Sequence, residues 1–185
     1  MIPGGAARRS PLEFAPPVLF VFEAAVTEPT DGQRPRPRGL NPRARRQARH
    51  YGLQALYQWQ LARTALGDIE AQFRTDYDFR RVDLPFFQAL LHEVPARLGE
   101  LEALFEPDLD RPVTELDPVE RNLLRMGAWE LAHRIDIPYR VVINEYVMLA
   151  RKFGATDGHR YINGVLDRVA RRLRQVEMAA EGTRR

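Results

Sequence analysis

From Asn41 onward, apolar residues recur every three or four positions and polar residues fill the gaps. That spacing belongs to amphipathic helices. No run rich in Val, Ile or Thr alternates with period two, so no strand is expected. Asn41-Pro42 has the form of a helix start, a capping side chain followed by Pro at the first helical position. The helix it opens should run to about Ala65 and end at Gly67. A short second helix follows over about Asp68 to Tyr77. Asp83 caps a third, in which Leu84, Phe87, Leu90, Leu91, Val94, Leu98, Leu101 and Leu104 keep helical spacing. Pro95 lies inside it and should kink or split it. The stretch Glu106 to Thr114, rich in proline and acid, reads as the boundary between two halves. Asp117-Pro118-Val119-Glu120 then gives an N-cap, a first-position proline and a third-position Glu for a capping box. That helix should run to about Arg134. Pro138 opens another, which stops at Gly154, and Asp157 opens the last, to about Arg174.

The pattern predicts an all-α fold: a compact bundle of about seven helices, three before the boundary and three or four after. It forms a single domain over 41–176, with halves at about 41–106 and 115–176, and a frayed tail at 177–185. Residues 1–40 stay outside it. Eight of the 14 prolines lie in residues 1–42, and Arg34-Pro35-Arg36-Pro37-Arg38-Gly39 cannot form a helix. This stretch is a disordered tail, or an extension from a start assigned too far upstream. Its best apolar run, Val18 to Phe22, is far shorter than the roughly 20 residues a membrane span needs. The twin arginine at Arg8-Arg9 is followed by no convincing cleavage site. No membrane contact is expected, and the protein is expected in the cytoplasm.

Wheel positions at 100° per residue refine the first and last helices. Counted from Arg43, Ala44, Ala48, Tyr51, Gly52, Ala55, Trp59, Ala62 and Leu66 fall between about 80° and 180° and form a core stripe. Arg45, Arg46 and Arg49 fall together between about 200° and 300°, off that stripe, with Leu53 and Tyr57 continuing the outer side. No acid lies nearby in sequence to pair with these arginines. A solvated charged face is the bland alternative. A polyanion at one end and a protein partner at the other explains the arginines better. Counted from Asp157, Ile162, Val165, Leu166, Val169, Leu173 and Val176 make a core stripe. Arg160, Arg168 and Arg171 lie opposite with Gly164, and Tyr161 sits at the margin. An aromatic ring beside arginines suits single-stranded RNA, which stacks bases and needs its phosphates held.

Charge gives this weight. The net charge of the 185-residue chain is only +3. Residues 32–67, however, carry eight arginines and no acid, while residues 68–120 carry 14 acids against five arginines. Of the 28 basic residues, only Lys152 is not arginine. Clustered arginine is the footprint of a polyanion partner.

Candidate chemistry is sparse. There is no cysteine, which removes disulfides, thiolate metal sites and a cysteine nucleophile. The sole serine, Ser10, lies in the proline-rich stretch, so serine hydrolysis is not expected. No glycine-rich phosphate loop is present, and His50, His92, His133 and His159 form no HExxH motif. They read as surface or capping histidines. The acids read as caps and solvated faces. No catalytic constellation, metal site or cofactor is expected.

Three stretches together resemble one family. They are Arg45-Arg46-Gln47-Ala48-Arg49 with Gln54-Ala55-Leu56-Tyr57-Gln58-Trp59-Gln60; Glu120 to Leu131, with Leu124-Arg125 and Trp129-Glu130-Leu131; and Pro138 to Asp167, with Ile143-Asn144-Glu145, Lys152-Phe153-Gly154 and Tyr161-Ile162-Asn163-Gly164-Val165-Leu166-Asp167. In order and spacing these resemble the NusB family of bacterial transcription antitermination factors over about residues 42–174. Residues 1–40 have no counterpart there. Pro95 and Gly158 depart from the family pattern, which often has serine at the second position.

The resemblance implies a helical bundle of two three- to four-helix halves. It implies binding to the boxA RNA of ribosomal RNA transcripts as a heterodimer with NusE, a small-subunit ribosomal protein. The complex would act with NusA, NusG and RNA polymerase against premature termination. The implied RNA contacts are Arg45, Arg46, Arg49, Asp157, Gly158, Arg160 and Tyr161, with Arg140 a further candidate. The implied NusE surface is Tyr57, Glu120 and Arg125. A homodimer that hides the RNA face is also implied for some members. Two alternatives stand beside this: a helical adaptor that binds only proteins, and the non-catalytic RNA-binding part of a ribosomal RNA cytosine methyltransferase.

Overall fold

The computed structural model describes residues 41–182, with side chains described as far as residue 180. The expectations for residues 1–40 and for the last three residues lie outside the described residues. Those described form eight α-helices in chain order: α1 (Pro42–Ala62), α2 (Leu66–Asp76), α3 (Leu84–Ala96), α4 (Leu98–Phe105), α5 (Pro118–His133), α6 (Tyr139–Phe153), α7 (Gly158–Leu173) and α8 (Gln175–Gly182). No strand occurs among them, and none of their helices is long and apolar enough to cross a membrane.

Local chemistry sets most boundaries. The Asn41 side chain accepts hydrogen bonds from the amides of Arg43 and Ala44, and Asp83 accepts from that of Phe86. α1 stops at Arg63, which adopts a left-handed conformation (φ 57°) and donates its amide to the Trp59 carbonyl. The expected stop at Gly67 is therefore wrong: Gly67 lies inside α2. Pro95 does split the third predicted helix, which breaks at Arg97 into α3 and α4. Asp117 caps α5 through the Val119 amide, but Glu120 closes no capping box. Its carboxylate lies instead where a side chain on Gly158 would go. Asp157 precedes α7 without a side-chain cap bond.

The expected fray after residue 176 is also corrected, because α8 is tied down. Glu177 accepts from the Tyr139 amide at 3.0 Å and pairs with Arg174, and Met178 packs on the core. Leu173 and Val176, assigned to the core, are 38% and 86% exposed; Ala170 takes the buried place.

α5 is the central helix. It packs against α1, α3 and α4 on one side and α6 and α7 on the other. Every residue from Asn122 to Leu131 is buried. Gly127 allows the close approach of α7: a Cβ there would sit 2.8 Å from two Leu166 methyl carbons. Trp129 meets Phe86 edge-on, and Leu90, Leu91, Leu123 and Leu124 are buried in the same core. A helix buried on all sides has no solvated face for its polar residues. Asn122, Arg125 and Glu130 therefore need partners inside the protein.

Candidate nucleic-acid interface

Buried residues of α1 span about 120° to 280° on the wheel, not 80° to 180°. The arc is centred about 70° further round and includes Arg45, Arg49, Leu53 and Leu56, while Ala62 is exposed. The outer placement of Arg45 and Arg49 is corrected: they are 6% and 2% exposed. Their partners come from elsewhere in the chain. Arg45 binds Asp83 at 3.3 Å and Asp136 at 3.2 Å. Arg49 pairs with Glu130 through two donors and lies 3.7 Å from Glu145. Glu130 also accepts from the Tyr146 hydroxyl at 2.9 Å. Arg46 binds Glu145 with Nε and Nη2, the latter at 2.7 Å, yet keeps 53% of its side chain exposed. Arg134 pairs with Asp136, and the guanidinium carbons of Arg45, Arg49 and Arg134 all lie 5.0–5.2 Å from the Phe86 ring centroid.

Four arginines and four carboxylates thus neutralise one another around one aromatic ring. Burial alone would lower the affinity of Arg49 for its proton. The hydrogen bond and charge of Glu130 outweigh that and raise its pKa. Arg46 is raised mainly by its bond to Glu145. Arg134, and then Arg45, hold Asp136 down to about 2. Of the four arginines, Arg46 is the most exposed. The sequence hid these partners because Asp83, Glu130, Asp136 and Glu145 lie 38 to 99 residues away. One signal was present: Glu130 sits in Met126-Gly127-Ala128-Trp129-Glu130-Leu131, where no polar face exists for it.

The start of α7 is different. Arg160 is 79% exposed and lies 3.7 Å from Asp157, itself 78% exposed. The Tyr161 hydroxyl donates to Asp110 at 3.1 Å, and Arg111 lies over the Tyr161 ring at 5.6 Å. Burial first, and then the bond to Asp110, raise the Tyr161 pKa. Arg111, which holds Asp110 down to about 2, was not among the expected residues. Gly158 is buried, and a Cβ on it would meet Glu120 Oε1 at 2.7 Å. Burial, and then Asp117, raise the Glu120 pKa. Arg140 stands at the first turn of α6, its guanidinium 5.6 Å from the Tyr139 ring. It borders a shallow groove of about 380 Å³ between α6 and α7, lined also by Asn144, Asn163 and Asp167.

α5 relates the two clusters. Arg49 is level with Glu130, and Gly158 is level with Glu120. Ten helical residues separate those levels, about 15 Å at 1.5 Å per residue. The structure therefore brings Arg45, Arg46 and Arg49 together, and Asp157, Gly158, Arg160 and Tyr161 together, as two patches at opposite ends of one helix. Of the expected partner surface, Tyr57 is 37% exposed and Leu61, one turn on, 58%. Arg125 is buried, bonded through Nε to Glu102 at 2.9 Å and through Nη1 to Gln60 at 3.1 Å, so its place on a docking surface is corrected. Glu120 is half-buried. Among the described residues, no group of three His, Asp or Glu is placed to hold a metal ion.

Known proteins resemble this chain over most of the bundle. The model of the NusB family matches residues 46–171. The transcription antitermination protein NusB of Pseudomonas entomophila is 55% identical over 136 residues, 74% of this chain and 82% of that protein. That of Hahella chejuensis is 54% identical over 136 residues, covering 74% and 91%. That of Marinobacter nauticus is 46% identical over 155 residues, covering 84% and 96%. A solved structure of NusB from T. maritima overlays with a TM-score of 0.59 at 27% identity, over 68% of this chain and 89% of that one. These relatives carry the name of a transcription protein, not of an enzyme.

Proposed function

The chain belongs to the NusB family, and from that premise we propose that it is an RNA-binding transcription antitermination factor. The observation that carries this is the match of the family over residues 46–171, which takes in Arg46, Arg49 and the start of α7, together with 55% identity over 136 residues to a transcription antitermination protein. The relatives, covered over 82–96% of their own length, are named transcription antitermination proteins, which favours that role over the methyltransferase reading. The ligand is the boxA element of ribosomal RNA transcripts. Arg46 meets phosphate, and Arg160 and Tyr161 meet phosphate and an unpaired base. Arg45 and Arg49 act by holding the end of α1 in place. Tyr57 and Glu120 face NusE, and the heterodimer joins NusA, NusG and RNA polymerase.

Fluorescence anisotropy with boxA and scrambled RNA, each with and without NusE, tests the reading. BoxA should bind weakly to the protein alone and more tightly with NusE. Equal binding of the two RNAs in both conditions overturns it. Arg46→Ala should weaken binding and reduce the salt slope by about 0.7, the loss of one single-strand phosphate contact. Tyr57→Asp should weaken NusE binding and leave RNA binding by the free protein intact.

A further inference from the structure

Gly164 is the seventh of the sixteen residues of α7. A glycine inside a helix weakens it relative to alanine, so it needs a reason. Gly127 has one, because Leu166 fills the space beside it. Gly67 and Gly99 are open to solvent but occupy second positions in their helices. Gly164 has no such excuse: the nearest atom to a Cβ there is Arg168 Nη1, at 3.8 Å. Nothing in the fold requires the missing side chain. Something outside it can use the bare backbone.

The surroundings say what that is. Arg160, Gly164 and Arg171 lie within about 40° on the α7 wheel. Arg160 and Arg171 are 79% and 71% exposed, and each is paired only along its own helix, to Asp157 and Asp167. Exposed pairs of this kind contribute little and exchange readily for a stronger anion. Tyr161 borders the same strip. At that same edge stands Arg111, 49% exposed, paired with its neighbour Asp110 and lying over the Tyr161 ring. A strip with cations at both ends, a glycine beside the half-exposed Arg168 guanidinium in the middle and an aromatic–guanidinium pair at one edge complements a single nucleic-acid strand.

Building on the RNA-binding reading above, we propose that Gly164 and Arg111 extend the RNA surface of α7. One unpaired base stacks at the Tyr161–Arg111 pair, and the sugar–phosphate backbone runs over Gly164 between Arg160 and Arg171. Gly164→Leu and Arg111→Ala test this by boxA anisotropy, NusE titration and thermal melting of the full chain. Gly164→Leu should leave the Tm unchanged or raise it, yet weaken boxA binding roughly tenfold, the scale of one lost base stack. Arg111→Ala should weaken binding and lower the salt slope, and Arg111→Lys should restore the slope but not the full affinity. NusE affinity should not change in any of them. If both variants bind boxA like the wild type while Arg46→Ala and Tyr161→Ala bind less, the inference is wrong and the RNA reading stands. If the wild type fails to distinguish boxA from scrambled RNA, both fall. Loss of NusE binding with RNA binding intact also overturns the inference, because the strip then serves a protein.

Discussion

The two arginine clusters hold the same residue type in opposite physical situations. At the start of α1, Arg45 and Arg49 are withdrawn from water and each meets two carboxylates, drawn from α5, α6 and the turns before α3 and α6. On α7, Arg160 and Arg171 stand in solvent with partners from their own helix. The first cluster joins distant parts of the chain; the second leaves its charge available. The difference teaches that arginine density along a sequence locates charge, while depth decides whether that charge serves the fold or a ligand. The acidic stretch 68–120 makes the same point. Asp83, Glu102 and Asp108 answer Arg45, Arg125 and the pair Arg168 and Arg172.

The comparison breaks first at Arg49. Arg49→Ala leaves Glu130 buried without its cation and should destabilise by about 3–5 kcal/mol in urea denaturation. The double change Arg49→Met with Glu130→Leu should recover much of that. If Arg49→Ala costs no more than Arg171→Ala, the distinction between the clusters fails. Arg174→Ala comes next. Arg174 donates to the carbonyls of Leu131 and Arg134 at 2.7 and 2.9 Å, closing the end of α5. Its loss should cost about 2–3 kcal/mol, as charged hydrogen bonds to buried acceptors do.

His50 gives a smaller, pH-dependent effect. Burial, and then Lys152, depress its pKa to about 4, against 6.5 in the unfolded chain. The unfolded state therefore binds the proton first, and stability should fall as pH drops from about 6.5 to 4. His50→Gln should flatten that part of a Tm–pH profile, and an unchanged profile would place the acid sensitivity elsewhere. The smallest stability effect belongs to Arg160→Ala and Arg171→Ala, each within about 0.5 kcal/mol of wild type. Their effect should appear in RNA binding instead.

The helices were legible because caps and periodicity are local. Asn41, Asp83 and Asp117 all cap as their neighbours require. Pro95 was legible for the same reason. What sequence reasoning lost depends on distant chain. The α1 wheel misplaced the core by most of one side chain because Arg45 and Arg49 were counted as polar, and a paired arginine over an aromatic ring is core material. Arg125 was misplaced likewise, since Glu102 and Gln60 come from other helices. Gly158 could not be understood without Glu120, 38 residues earlier. Arg111 was invisible because the ring it covers belongs to α7.

The sole lysine has a practical side. Lys152 is exposed in the last turn of α6, its ammonium 5.2 Å from the Phe153 ring, and Phe153 in turn meets His50 of α1. Apart from the terminal amine, it is the one primary amine in the chain. An amine-reactive fluorophore would attach beside α1 near His50, the neighbour of Arg49 in the first arginine patch. Labelling chemistry that scatters over many sites in most basic proteins becomes here a single optical reporter, ready to register whatever settles along that side of the bundle.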